Sequence, residues 1–146
     1  METGLDSKVV LVTGGAGGIG EEICKAFASE GSKVIVHYNS SSEKAMKIAK
    51  EIYGYSIKAD LTDPSETKLM FEEIIQEFGK IDVCVANAGY YPPDPLPLWE
   101  IDLGRWKKTI SSNLDVSINT ARNFLRHASE NKNGSMVFIG STAGIY

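Results

Sequence analysis

From Thr13 to Gly20 the chain reads Thr-Gly-Gly-Ala-Gly-Gly-Ile-Gly. Glycines packed this densely let a backbone turn tightly and come close to a pyrophosphate. A helix starting at the end of such a turn points its free N–H groups and positive dipole end at the same anion. The chemistry in view is dinucleotide binding. Three glycine spacings coexist. Gly15, Gly17 and Gly20 satisfy the general dinucleotide fingerprint. Gly14, Gly18 and Gly20 satisfy Thr-Gly-x-x-x-Gly-x-Gly, and Gly14, Gly17 and Gly20 satisfy Thr-Gly-x-x-Gly-x-x-Gly. The loop does not choose among them.

A second informative stretch is His37-Tyr38-Asn39-Ser40-Ser41. In a dinucleotide fold the end of the second strand selects the cofactor, because an acid there binds the ribose 2′-hydroxyl and repels a 2′-phosphate. Tyr38 stands where that acid would be, and no carboxylate follows until Glu43. Asn39, Ser40 and Ser41 offer donors to a phosphate, although no Arg sits nearby. The balance favours NADP over NAD, with dual use close behind. His37 is expected as a solvated strand-end histidine that adds charge only if protonated.

These groups need elements to hold them, and the apolar pattern supplies them. Lys8 to Thr13 is a near-continuous apolar run of strand length, as a parallel strand covered on both faces requires. A helix from about Ile19 to Ser29 follows, with Ile19, Ile23, Ala26 and Phe27 at helical spacing and Gly31 closing it. Lys33 to Tyr38 reads as the second strand. Ser42 is placed to cap a helix whose stripe is Ala45, Met46, Ala49 and Ile52. Tyr55 to Ala59 is a third strand. Thr62 or Asp63 then opens a helix at Pro64, whose apolar surface is Leu69, Phe71, Ile74, Ile75 and Phe78, and Gly79 stops it. Ile81 to Ala86 is a fourth strand, and the proline-rich stretch from Gly89 to Pro97 is loop. Leu103 to Asn131 is helical, as two helices meeting near Asn113, and Ser135 to Gly140 is a fifth strand. Such alternation predicts an α/β protein: a Rossmann-type doubly wound parallel sheet, order 3-2-1-4-5, with helices on both faces and residues 1–146 as one domain.

Composition narrows the class. With 42% apolar and 23% charged residues the chain is globular rather than disordered. A formal charge of -4 without any basic cluster leaves nucleic acid no electrostatic footprint. No apolar run approaches bilayer length, and Met1 to Lys8 lacks a basic-plus-apolar leader, so a cytoplasmic protein without membrane contact is expected. Cys24 and Cys84 sit in apolar segments as buried thiols, with spacing that suggests neither a metal site nor a redox pair.

Later motifs make the reading specific. Ala86-Asn87-Ala88-Gly89, closing the fourth strand, resembles the Asn-Asn-Ala-Gly motif of the short-chain dehydrogenases/reductases, with Ala86 replacing the first Asn. Asp60-Leu61 looks like that family's adenine-contacting Asp and its neighbour. Asn113, in Ser-Ser-Asn-Leu-Asp-Val, stands where the family has its catalytic Asn. Ile139-Gly140-Ser141-Thr142-Ala143-Gly144 resembles Ile-Ser-Ser-x-Ala-Gly, which makes Ser141 the candidate catalytic Ser. In this order the motifs cover essentially the whole chain and select the Thr-Gly-x-x-x-Gly-x-Gly branch. Thr13, Gly14, Gly18, Ile19 and Gly20, with Tyr38, Asn39 and Ser40, and with Asn87, Ala88 and Gly89, are the implied cofactor residues. Each also has a plainer use: Asn87 as a strand terminator, Asn113 as a cap or kink filler, Ser141 as an ordinary strand-end hydroxyl.

The resemblance implies an oxidoreductase that moves hydride between NADP (or NAD) and a secondary alcohol or ketone, such as a sugar, polyol or 3-oxoacyl thioester. Ser141 would hold the substrate oxygen and Asn113 a water of the proton relay. The family's acid/base is a Tyr followed four residues later by Lys. No such pair occurs in this sequence, so the chain is expected to be a fragment or truncated product, inactive alone and exposing apolar surface on its last helix and strand. Tyr90 and Tyr91 are expected to border the substrate pocket or cover the sheet edge. The family also implies a homo-oligomer, commonly a tetramer built partly on the helix after Asn113, where Ile118, Phe124 and Leu125 serve that surface or the core. A rival reading is a non-catalytic dinucleotide-binding or regulatory module; a sugar-nucleotide epimerase fits least, given Ala86-Asn87-Ala88-Gly89.

Overall fold

The computed structural model describes residues 2–141. Its core is a five-stranded parallel sheet in the order β3-β2-β1-β4-β5. β1 (Val9–Val12) lies centrally, paired with β2 (Lys33–Tyr38) on one side and β4 (Val83–Ala86) on the other, while β3 (Tyr55–Lys58) and β5 (Ser135–Phe138) form the edges. Successive residues of a strand face opposite ways. Val9 and Leu11 therefore pack with Ile35, Ile57, Ile74 and Phe124 on one face, and Val10 and Val12 with Val34, Val36, Ile48 and Ala49 on the other. The first face is covered by α3 (Pro64–Phe78) and the long helix before β5, the second by α1 (Gly18–Ser29) and α2 (Ser42–Glu51).

Local chemistry sets the boundaries. Asp63 caps α3, its carboxylate accepting from the amides of Ser65 at 2.7 Å and Glu66 at 3.2 Å, with Pro64 at the first helical position. Gly79 ends that helix in the left-handed region at φ 80°. At α2 the cap is Ser41 rather than Ser42, and its side chain makes no capping bond. Most residues of the expected helical stripes are buried or half-buried, with Ala45, Ala49, Phe71 and Ile74 fully inside. Ile19, Met46 and Leu69 are exposed, and Cys24, Ile48 and Met70 are buried in addition. Packing fixes the rotation of each helix, and an apolar residue at the margin of its stripe is left in solvent.

Leu103 to Asn131 form two helices that meet at Asn113, as the pattern predicts, and a single wide turn joins them. α4 (Leu103–Ile110) passes into a π turn at Ser111–Asp115 and on into α5 (Val116–Asn131). The wider turn disturbs the carbonyl ladder, and the Asn113 side chain donates to the Thr109 carbonyl at 2.8 Å there. The fold closes on its N-terminal side through Asp82, whose side chain is 4% exposed. One carboxylate oxygen accepts from the Val9 amide at 2.9 Å, and the other pairs with Lys80 at 3.0 Å and Lys8 at 3.8 Å. Burial opposes ionisation of Asp82, but these partners outweigh it and hold the carboxyl below its usual range. Asp82→Ala strands the Val9 amide, so a lowered denaturation midpoint worth about 2 kcal/mol is expected, with ligand binding at the far end of the strands unchanged.

Cys24 and Cys84 are both fully buried, and burial pushes both thiols up to about 12, as inert core residues. Ile118 and Leu125 on α5, and Val137 and Phe138 on β5, are exposed, whereas Phe124 is 1% exposed and belongs to the core. Among the described residues no helix is long and apolar enough to cross a membrane.

Candidate dinucleotide site

A cleft of about 620 Å³ runs over the C-terminal ends of the strands. Parallel sheets of this order leave a crevice there, where the crossovers on the two sides of β1 diverge. One wall is the turn between β1 and α1, which brings Gly14, Gly18, Ile19 and Gly20 to the surface of the cleft. Gly14 has φ +62°, and a Cβ on it would lie 2.9 Å from the Ala88 Cα. A Cβ on Gly20 would collide with the Gly14 carbonyl oxygen and lie 2.8 Å from the Gly15 Cα. Gly18 differs: a Cβ there would meet no protein atom within 4 Å. The three match the division of labour in a dinucleotide turn: a tight bend, an open approach and a close helix–strand contact.

Thr13 stands behind this wall, fully buried and outside the cleft lining. Its hydroxyl accepts from the Asn87 and Ala88 amides, each at 3.0 Å, and donates to the Val85 carbonyl at 3.3 Å. Asn87 returns the contact, donating from Nδ2 to the carbonyls of Thr13 at 3.0 Å and Gly14 at 3.2 Å. Its plainer use as a binder of nearby backbone is thus what its side chain does. Asn87, Ala88 and Gly89 line the cleft beyond that strap.

The β2 and β3 ends form the opposite wall, with Tyr38, Asn39, Ser40, Asp60 and Leu61 all lining it. Asp60 is fixed by Thr62, whose amide and hydroxyl donate to one carboxylate oxygen at 2.9 and 2.7 Å. His37 corrects the expectation of a solvated ring. It is 2% exposed, its Nδ1 accepts from the Gly14 amide at 2.9 Å, and Nε2 lies 3.0 Å from the Ala59 carbonyl. Burial pushes its pKa down to about 4, against the opposing pull of the Ala59 carbonyl and the Asp60 charge, so the ring is neutral at pH 7.

Past β4 the cleft is bounded by Tyr90, Lys108, Ser112 and Val116. Asn113 holds the start of the loop, accepting from the Tyr90 amide at 3.0 Å and donating to its carbonyl at 2.9 Å. Lys108 lies 4.5 Å over the Tyr90 ring. Farther along, Arg105 pins the loop by pairing with the Asp94 carboxylate at 2.7 Å. Neither Asn113 nor Ser141 lines the cleft, and Ser141 ends the described residues, with Thr142, Ala143 and Gly144 of its motif outside them. Sequence reasoning missed Lys108, Ser112 and Val116. Their i, i+4 spacing puts them on one helix face, and that face was readable.

The cleft suits the group its glycine turn implies. Its volume is that of a small-molecule site. The first-turn amides of α1 have no intrahelical acceptor, and Gly18 keeps the approach to them clear.

A family model described as short chain dehydrogenase matches residues 8–146. The chain is 34% identical to NADP-dependent mannitol dehydrogenase of Alternaria alternata, over 96% of this chain and 55% of the relative. It is 35% identical to 3-oxoacyl-[acyl-carrier-protein] reductase FabG of Thermotoga maritima, over 97% of this chain and 58% of the relative. The crystal structure of gox2181 superposes with a TM-score of 0.93 at 26% identity, covering all of this chain and 59% of that one. The chain thus spans a little over half the length of these proteins. A turn strapped between β1 and β4, a sheet in the order 3-2-1-4-5 and a family match across nearly every residue agree, and the chain belongs to the short-chain dehydrogenase/reductase family.

Proposed function

We propose that residues 1–146 are the dinucleotide-binding domain of an NAD(P)-dependent oxidoreductase acting on a secondary alcohol or ketone, with NADP preferred. The observation that carries this reading is the cleft, which joins the glycine turn, the acid-free end of β2 and the loop held by Asn113 in one continuous space. A bound nicotinamide dinucleotide supplies the hydride donor or acceptor. The chain's residues supply the rest. Thr13, Gly14, Gly18, Ile19 and Gly20 shape the pyrophosphate wall together with Asn87, Ala88 and Gly89. Asp60 and Leu61 border the adenine, and Tyr38, Asn39 and Ser40 receive the ribose 2′ substituent. Ser141 donates to the substrate oxygen, and Asn113 holds a water of the proton relay. The relatives named for mannitol and 3-oxoacyl substrates support a polyol, sugar or 3-oxoacyl compound. The exposed stripe of Trp106, Ile110, Leu114 and Ile118 supports a homo-oligomer.

Calorimetric titration of the full chain tests the binding claim. Saturable binding, tighter for NADP⁺ than for NAD⁺, is expected; no binding of either sinks the reading. Tyr38→Asp restores the carboxylate that repels a 2′-phosphate, and the NADP⁺/NAD⁺ affinity ratio is expected to fall about tenfold or more. An unmoved ratio means that the end of β2 does not face the 2′ position. Turnover on one of the three substrate classes would place catalysis within these residues. Binding without turnover favours a non-catalytic dinucleotide module.

A further inference from the structure

We propose that His37 is a positioning residue of the dinucleotide site, a neutral Nε2-protonated imidazole that sets the Gly14–Gly15 turn from β2 while tying it to the end of β3. The inference rests on the dinucleotide reading of the cleft. Backbone polarity fixes the tautomer. The Gly14 amide can only donate, so Nδ1, 2.9 Å away, carries no proton. The Ala59 carbonyl can only accept, so Nε2, 3.0 Å away, carries one. One protonation state satisfies both bonds, and an imidazolium would set two donors against each other at Gly14.

The same residue takes the next amide as well, since the His37 carbonyl accepts from Gly15 N at 2.9 Å. Two consecutive amides of the turn are thus bound by one residue of β2. From the other side, Asn87 donates to the Gly14 carbonyl at 3.2 Å, and the Gly17 amide donates to it at 2.9 Å. Gly14 is gripped by one side chain from β2 and one from the residue that follows β4, and its φ of +62° is held by both. With that peptide fixed, the start of α1 is aimed into the cleft. Through Ala59 the imidazole also couples the turn to Asp60, on the opposite wall. His37 itself lines the cleft between them.

The test uses the full chain, labelled with ¹⁵N, and NADP⁺ as probe. Ring ¹⁵N shifts at pH 7 are expected to show protonated Nε2 and bare Nδ1; the opposite tautomer or an imidazolium overturns the proposal. His37→Phe keeps a ring of similar size and removes both side-chain bonds, and NADP⁺ affinity is expected to fall about tenfold or more. His37→Asn returns an acceptor toward Gly14 on a shorter side chain, and most of the affinity is expected back. Loss with Phe and no rescue with Asn assigns the effect to packing and overturns the proposal, as does unchanged binding in a folded Phe variant. If His37→Phe does not fold, the tautomer and the Asn variant decide. If the wild-type chain shows the expected tautomer but binds no NADP⁺, the reading of the cleft has failed and the positioning role falls with it, while the two hydrogen bonds stand.

Discussion

Gly18→Ala is expected to leave the fold intact and weaken dinucleotide binding roughly a hundredfold, whereas Gly20→Ala costs both binding and stability. The two glycines are two residues apart in the same helical turn, yet their surroundings are opposite. A methyl on Gly18 meets no protein atom within 4 Å, and alanine is the better helix former by about 1 kcal/mol, so the melting temperature holds or rises slightly. The cost falls on the ligand, because the new methyl occupies the side from which a pyrophosphate reaches the α1 amides. Lost approach of this kind is worth about 3 kcal/mol, or roughly a hundredfold in affinity. At Gly20 the added carbon runs into the Gly14 carbonyl and the Gly15 Cα, which are backbone atoms unable to swing aside. A destabilisation of about 3 kcal/mol, at the upper end for overpacking, should accompany the loss of binding. Thermal denaturation and calorimetric titration of both variants with NADP⁺ separate the effects. Wild-type affinity in Gly18→Ala would mean that the anion does not lie against the start of α1.

The strand order and the glycine turn were legible because they rest on local pattern. Val9 to Val12 and Val83 to Ala86 are apolar on both faces, as only central parallel strands are, and Gly14 to Gly20 sit between a strand and a helix. What was not legible depended on contacts distant in sequence. His37 looked like a solvated residue because the end of a strand is usually wet. Its burial comes from Gly14, 23 positions earlier, and Ala59, 22 positions later. At the expected helix junction near Asn113 only the π geometry has the same origin: the residue that bridges it also grips Tyr90, 23 positions away, and helical periodicity carries no trace of that contact. Ile19, one of the implied cofactor residues, lies 65% exposed on the cleft wall.

Acidification from pH 6.5 to 4 is expected to remove about 3 kcal/mol of stability through His37 alone. The sign follows from the depressed pKa. The folded ring resists protonation down to about 4, while the unfolded ring takes its proton near 6.5, so over that window the unfolded state binds more protons. Stability is therefore full above pH 6.5 and falls until about pH 4, where the folded ring also protonates. The carboxylates held low, Asp82 and Asp94, lose their contribution only below their ordinary range, whose reference value is 3.8. Denaturant midpoints of wild type and His37→Asn across the window isolate the imidazole, because every other titrating group cancels in the difference. A difference that does not change with pH would show that the ring titrates alike in the folded and unfolded states. Protonation also has a local consequence that precedes unfolding. A proton on Nδ1 faces the Gly14 amide at 2.9 Å, and the bond that aims the turn becomes a repulsion. NADP⁺ affinity should accordingly fall with the protonation of His37 while the chain is still folded, and the Asn variant should not show that step.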